Sequence, residues 1–162
     1  MPDFRTAAAV RRACRGCELT APTPGLALGH VQANLVVVPR ELAFDFLLFC
    51  HRNPKPCPLL EVTDTGSPHP TALSRDADLR TDVPRYRVFE DGKLVDEPTE
   101  LTAYWRDDLV SFLLGCSFTF EWALADAGLH WRINNRASTF RCTSPIAGAS
   151  VPDCSRALWS CR

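Results

Sequence analysis

This sequence predicts an α/β fold, on three observations. Val31 to Val38 is an apolar, β-branched run of the kind that forms a buried strand, and Pro39 closes it. Directly after it, Arg40 to His51 places Leu42, Phe46, Phe49 and Cys50 on one helical face. A Pro-rich loop and a second strand, Leu59 to Thr63, come next, so that strand, helix and strand follow one another as in an α/β layer.

Composition agrees with a folded domain. The 162 residues are 46% apolar and 23% charged, a globular balance. Lys and Arg total 18 against 19 Asp and Glu, so there is no basic field to hold nucleic acid or an anionic membrane surface. Apolar runs such as Leu35 to Val38 and Phe46 to Cys50 fall far short of the roughly 20 residues of a membrane-spanning helix. The opening stretch Met1 to Arg5 lacks the basic and apolar regions of a secretion signal, which predicts a cytoplasmic setting.

In that setting the eight cysteines are expected as thiols. Cys14 and Cys17 form a C-x-x-C pair with no second pair to complete four zinc ligands, so no metal is expected. A thiol or zinc protein built on Cys14, Cys17, Cys50 and Cys57 is one competing reading. Cys50 and Cys57 bracket His51-Arg52-Asn53-Pro54-Lys55-Pro56, where two prolines force an extended loop directly after a helix and make a candidate site. Cys142, Cys154 and Cys161 receive no role.

Elsewhere, the basic, Ala-rich opening predicts a helix, and Thr20 to Gly25 a turn-rich connection. Asp64 to Asp82, rich in Ser, Pro, Asp and Thr, predicts a loop reaching over the site. Tyr86 to Val95 alternates about Asp91-Gly92, the pair that suits a type I′ hairpin because both residues need positive φ. Thr99 is expected to cap a helix running through Trp105 to Leu114, with Leu109, Phe112 and Leu113 as its buried stripe, and Gly115 to break it. Ser117 then caps another, through Phe118, Glu121, Trp122 and Leu124 to Gly128. The N–H groups of Cys116 to Thr119 would thus stand at a helix start, where an anion or a developing oxyanion is favoured.

Pro22 to Leu35, Asp45 to Pro58, Asp78 to Arg87 and Trp105 to Glu121 form four segments in a fixed order, and together they resemble the hydro-lyase family, whose better-described members are called D-glutamate cyclases. The resemblance implies a three-layer α/β domain with a smaller two-layer α+β domain around the hairpin. Residues 1–60 and 105–135 would belong to the larger domain and 61–104 to the smaller. The implied activity is a carbon–oxygen lyase reaction without a cofactor, in which the amine of D-glutamate closes on its own side-chain carboxylate to give 5-oxo-D-proline and water. The implied partner is a small amino or oxo acid, with self-association into a homo-oligomer left open.

Lactam closure needs a cation for the α-carboxylate, a base for the amine, donors for the oxyanion and an acid for the departing water. Arg52, Lys55 or Arg80 can supply the cation. Asp82, Asp108 and Glu121 are the acid–base candidates, with Glu121 preferred because burial in an apolar helix would raise its pKa. Cys116 and Ser117 offer backbone N–H donors, or Cys116 a nucleophile. Gln32 and Asn34, with Asn53 and Cys57 of the Pro-rich loop, complete the substrate-binding set. Each has a plain structural alternative: surface ion pairs, a solvent-facing helix carboxylate, a packed thiol, or polar groups satisfied beside a strand. His30 stands where the family pattern has Tyr and receives no role. A module that binds such an acid without turning it over is the other competing reading.

The tail departs from the family pattern. Residues 136–162 are rich in Ser, Arg and Cys without a clean period, and are expected to be poorly ordered. Read two bases out of register, codons for Phe140 to Thr143 can give Pro-Met-Tyr, and those for Arg156 to Arg162 can give Gly-Pro-Leu-Val-Val-Ser. Both match segments expected at the end of the family pattern, so a change of coding frame between Trp131 and Arg136 is expected. The sheet would then lack its closing strand and keep an apolar edge.

Overall fold

A computed structural model describes residues 4–117, 119, 123–124, 126–128 and 158–160. The first helix, α1 (Ala7–Arg15), starts where Thr6 accepts the Ala9 N–H at 3.2 Å, and Arg12 and Arg15 sit in its last turn, where cations favour the helix dipole. Strand β1 (Ala33–Pro39) leads straight into α2 (Arg40–Arg52). Pro39 offers α2 no side-chain cap; instead the Arg40 N–H is taken by the Asp108 carbonyl at 2.7 Å. After β2 (Leu59–Val62), the hairpin strands β3 (Arg87–Glu90) and β4 (Lys93–Asp96) turn at Asp91 and Gly92, whose φ values of 48° and 72° are those the type I′ turn requires.

Where the sequence predicted one helix from Thr99 to Leu114, residues 99–108 are turns and irregular chain and Leu109 to Gly115 is a strand, β5. Its apolar residues fit either period, and burial decides between them. Leu109 and Leu113 pack into the cluster containing Leu35, Val37, Tyr86 and Leu101, while Val110, Phe112 and Leu114 pack into the one containing Val36, Val38 and Phe46. A central strand covered on both faces reads as a continuous apolar run, and such a run also matches a helical stripe.

Strand order is β2-β5-β1-β6-β3-β4, and every pairing described is antiparallel. Both β1 and β2 run against β5, so they share a direction. The unit β1-α2-β2 is therefore a crossover connection with β5 inserted between its strands. The mixed helix and strand content agrees with the predicted class. On one face of the sheet lies α2, with Phe46 edge-on to Phe112 at 4.9 Å. The other face is covered by irregular chain around Leu79, Tyr86 and Leu101. No described helix is long and apolar enough to cross a membrane.

Of the tail, Leu158–Ser160 forms β6, pairing with Leu35 to Val37 of β1 on one side and with Arg87 and Val88 of β3 on the other. The edge expected to stay open is thus closed over three positions. The described part of the helix expected after Ser117 is helical at Thr119, Ala123, Leu124 and Asp126, and Gly128 has the positive φ, 73°, of a C-cap. Phe118, Glu121 and Trp122 lie outside the described residues.

A buried carboxylate fastens the irregular layer. Glu61, 8% exposed on β2, accepts the backbone N–H groups of Thr71, Ala72 and Leu73 and the Thr71 hydroxyl. Burial alone would raise this carboxyl, but those donors together hold it below its ordinary value of 4.5. A group lowered in the folded state contributes stability that is complete above its unfolded pKa and is lost as pH falls through the lower folded one. Urea midpoints measured from pH 6 to pH 3 should therefore fall below about pH 4.5, with Glu61→Gln costing about 1–3 kcal/mol at neutral pH and flattening the acid limb. An acid limb unchanged in that variant would show that other carboxyls carry it.

Candidate functional site

The crossover unit brings distant parts of the chain to one end of the sheet. Helix α2 packs back along β1, so its last residues return to where β1 begins. There β5 also ends, since Ala33 pairs with Gly115, and β2 begins, since the Gly115 N–H donates to the Pro58 carbonyl at 2.8 Å. Gln32, Asn34, Arg52, Asn53, Lys55, Cys57, Cys116 and Ser117 all belong to this end.

Several of these side chains hold the end together. The Gln32 amide donates to the carbonyls of Leu26 at 3.2 Å and Thr23 at 3.5 Å, pinning the preceding loop. Its backbone N–H donates to the Thr119 hydroxyl at 3.1 Å, and that hydroxyl and the Cys116 thiol both point to the Gln32 carbonyl. Asn53 caps α2 by donating from Nδ2 to the Phe49 carbonyl at 2.8 Å, and its own carbonyl accepts the Cys57 N–H at 3.0 Å. Thr119 was not singled out from sequence, although a hydroxyl residue three positions after Cys116 at an expected helix start is a signal that could have found it.

Other groups remain open to a ligand. Arg52 and Lys55 are exposed and make no ion pair with another described residue. Asn34 is half-buried, sits opposite Leu114 on the α2 face, and makes no side-chain hydrogen bond to a described residue. Ser117 is exposed.

The carboxylates lie elsewhere. Asp108 is at the far end of β5, beside Pro39 and Arg40, and pairs with Arg106 at 2.8 Å. Asp82 and Arg80 belong to the layer on the sheet face opposite α2: Asp82 is held by Arg15, and Arg80 pairs with Asp78 at 2.7 Å. Glu121 lies outside the described residues.

Three of the described thiols are held protonated by burial. Burial pushes the thiols of Cys14 and Cys50 up to about 11, with Asp82 adding to the first and Cys57 to the second, and burial also raises Cys57. Among the described residues no group of three His, Cys, Asp or Glu side chains could hold a metal ion. At neutral pH the exposed Cys17 is expected to be alkylated by iodoacetamide at least tenfold faster than Cys14 or Cys50, as read by peptide mass spectrometry. Comparable rates would mean that the core opens readily.

No protein-family model matches the chain. It is similar to curated proteins named "Putative hydro-lyase": one from Streptomyces avermitilis, 67% identical over 111 residues, which are 68% of this chain and 40% of that protein. Another, from Rubrobacter xylanophilus, is 67% identical over 76% of this chain and 48% of its own length. A third, from Thermoanaerobacter sp., is 60% identical over 72% of this chain and 44% of its own length. The chain therefore spans less than half the length of these relatives.

Proposed function

We propose, from the premise that over its matched residues this chain belongs to the family whose curated members bear the name "Putative hydro-lyase", that it serves a carbon–oxygen lyase reaction releasing water from a small amino or oxo acid. The similarity at 60–67% identity is the observation that carries this reading. D-glutamate closing to 5-oxo-D-proline is the specific reaction, in a cytoplasmic setting and without a cofactor. In that reaction the amine nitrogen forms a bond to the side-chain carboxyl carbon, a C–O bond breaks, and the oxygen leaves as water with the two protons that the ammonium group gives up in becoming the lactam N–H.

The open groups at the sheet end suit such a substrate. Arg52 or Lys55 would hold the α-carboxylate, Arg by a bidentate fork and Lys as a point charge. Asn34 would accept from the amine or donate to a carboxylate oxygen. The backbone N–H group of Ser117 would face the oxyanion, while the Cys116 thiol itself stays turned to the Gln32 carbonyl. Arg52→Ala is expected to raise KM about ten- to hundredfold, the worth of one charge-assisted hydrogen bond, with a smaller change in kcat. An unchanged KM would remove Arg52 from the site.

A second reading has its own observation. Because the matched residues are under half of each relative, the chain can hold the acid without turning it over. Incubating this protein and the full-length Streptomyces relative in parallel with D-glutamate, and following 5-oxo-D-proline by chiral chromatography, separates the readings. Product from both supports catalysis; product from the relative alone, with binding by this chain, supports the second reading. Product from neither removes D-glutamate as substrate.

A further inference from the structure

Helix α2 carries two apolar stripes, and the core uses only one. Phe46, Phe49 and Cys50 face the sheet. Phe44, Leu47, Leu48 and His51 recur at the i, i+3, i+4, i+7 spacing of a second face, and with Pro54 and Leu59 they line an open groove of about 410 Å³. Phe44 is 71% exposed and Leu47 38%. The groove's other wall is Leu59 of β2, the outermost strand in the order of the described sheet on this side, which has a register shift between Leu59 and Glu61; the neighbouring Leu60 is 39% exposed. Contiguous Phe and Leu side chains beside a strand that, among the described residues, pairs on one side only mark a surface that is normally covered.

The relatives indicate by what. At 60–67% identity the matched region folds alike, and it makes up only 40–48% of their chains, so more than half of each must pack outside it. We propose that the groove between α2 and β2 is the docking surface for that remaining portion of the hydro-lyase chain, which lays an apolar helical stripe along Phe44, Leu47 and Leu48. This inference rests on family membership and not on the reaction: a complex that forms no 5-oxo-D-proline upholds the docking and counts against the activity alone.

The test co-expresses the full 162-residue protein, tagged, with the portion of the Streptomyces avermitilis relative that lies outside its matched residues. Co-purification in a one-to-one ratio is expected, with at least a tenfold loss in the double variant Phe44→Glu/Leu47→Glu, whose thermal midpoint should match wild type because both side chains are already exposed. Absence of a complex, or equal recovery with the variant, overturns the proposal. So does a dimer of this chain, seen by sedimentation, that the same variant dissociates, since the occupant is then a second copy. Where the isolated portion of the relative fails to fold, carbene footprinting decides. Phe44 and Leu47 should be labelled heavily in this protein, and the aligned positions of the intact relative protected at least fivefold. Equal labelling overturns the proposal.

Discussion

Adding one methyl group at Gly66 is expected to lower the unfolding free energy by about 3 kcal/mol, moving the thermal midpoint down by roughly 6–12 °C. Two independent costs meet there. Gly66 has φ of +80°, which costs an L-residue about 1–2 kcal/mol. A Cβ would also stand 2.8 Å from the Asp107 carbonyl oxygen and 3.3 Å from its carbon, and both are backbone atoms that cannot swing aside. Movement would break the Gly66 N–H bond to the Leu109 carbonyl at 2.7 Å and the bond from the Trp105 indole to the Gly66 carbonyl at 3.0 Å. Thermal unfolding of Gly66→Ala followed by circular dichroism checks this. Gly92→Ala is the useful control: it shares the positive φ, but its Cβ would meet nothing within 4 Å, so it should cost only the conformational part. Equal losses would show that the approach to Asp107 contributes nothing.

Asp82→Ala is the second large effect, expected at about 2–3 kcal/mol. The Asp82 side chain is 2% exposed and accepts a two-pronged pair of bonds from Arg15, each 2.8 Å, with Arg11 at 3.7 Å. It also accepts the Asp78 N–H at 3.0 Å and the Thr81 hydroxyl at 3.1 Å. Removing a buried partner of this kind strands its donors, a loss that can reach 3–5 kcal/mol. The lower figure applies because Arg15 is 48% exposed and can recover water. Asp82→Asn should cost less, since it keeps an acceptor. A double-mutant cycle with Arg15→Ala should return a coupling near 1 kcal/mol. Additive losses would show that Asp82 serves its own loop and not the anchoring of α1.

Those two positions also mark how far the sequence could be read. Strand β1 was legible from its β-branched run closed by Pro39, and helix α2 and the Asp91-Gly92 hairpin because each carries one period and a clear stop. Strand β5 was not, since Leu109 to Leu114 are apolar at every position except Ser111 and period alone cannot separate a doubly covered strand from a helix. The gathering of Gln32, Asn34, Arg52 and Asn53 at one sheet end follows from a short strand–helix–strand connection, whose Pro-rich loop its prolines and bracketing cysteines made legible, whereas Cys116 arrives through the pairing of β5 with β1. What Asp82 and Asp108 do was beyond reach, because a carboxylate's role depends on which arginine it meets across the fold. Arg15 lies 67 positions from Asp82, and no local pattern announces it. Glu61 escaped notice for the same reason: its partners are the amides of a loop with no periodicity of its own.

Strand β6 bears on the order in which the protein is built at the ribosome. Among the described residues, Leu158–Ser160 is the strand whose pairing joins the β2-β5-β1 group to the β3-β4 hairpin, and it pairs with Leu35 to Val37, made far earlier. At ordinary translation speeds the interval between the two is on the order of ten seconds. Throughout it, the backbone of a strand whose Val36 and Val37 are meant to be 2% and 1% exposed waits without its neighbour on that side. An apolar edge held open for that long can template pairing with a neighbouring nascent chain, so chaperone dependence during synthesis would follow from where in the sequence this short strand was placed.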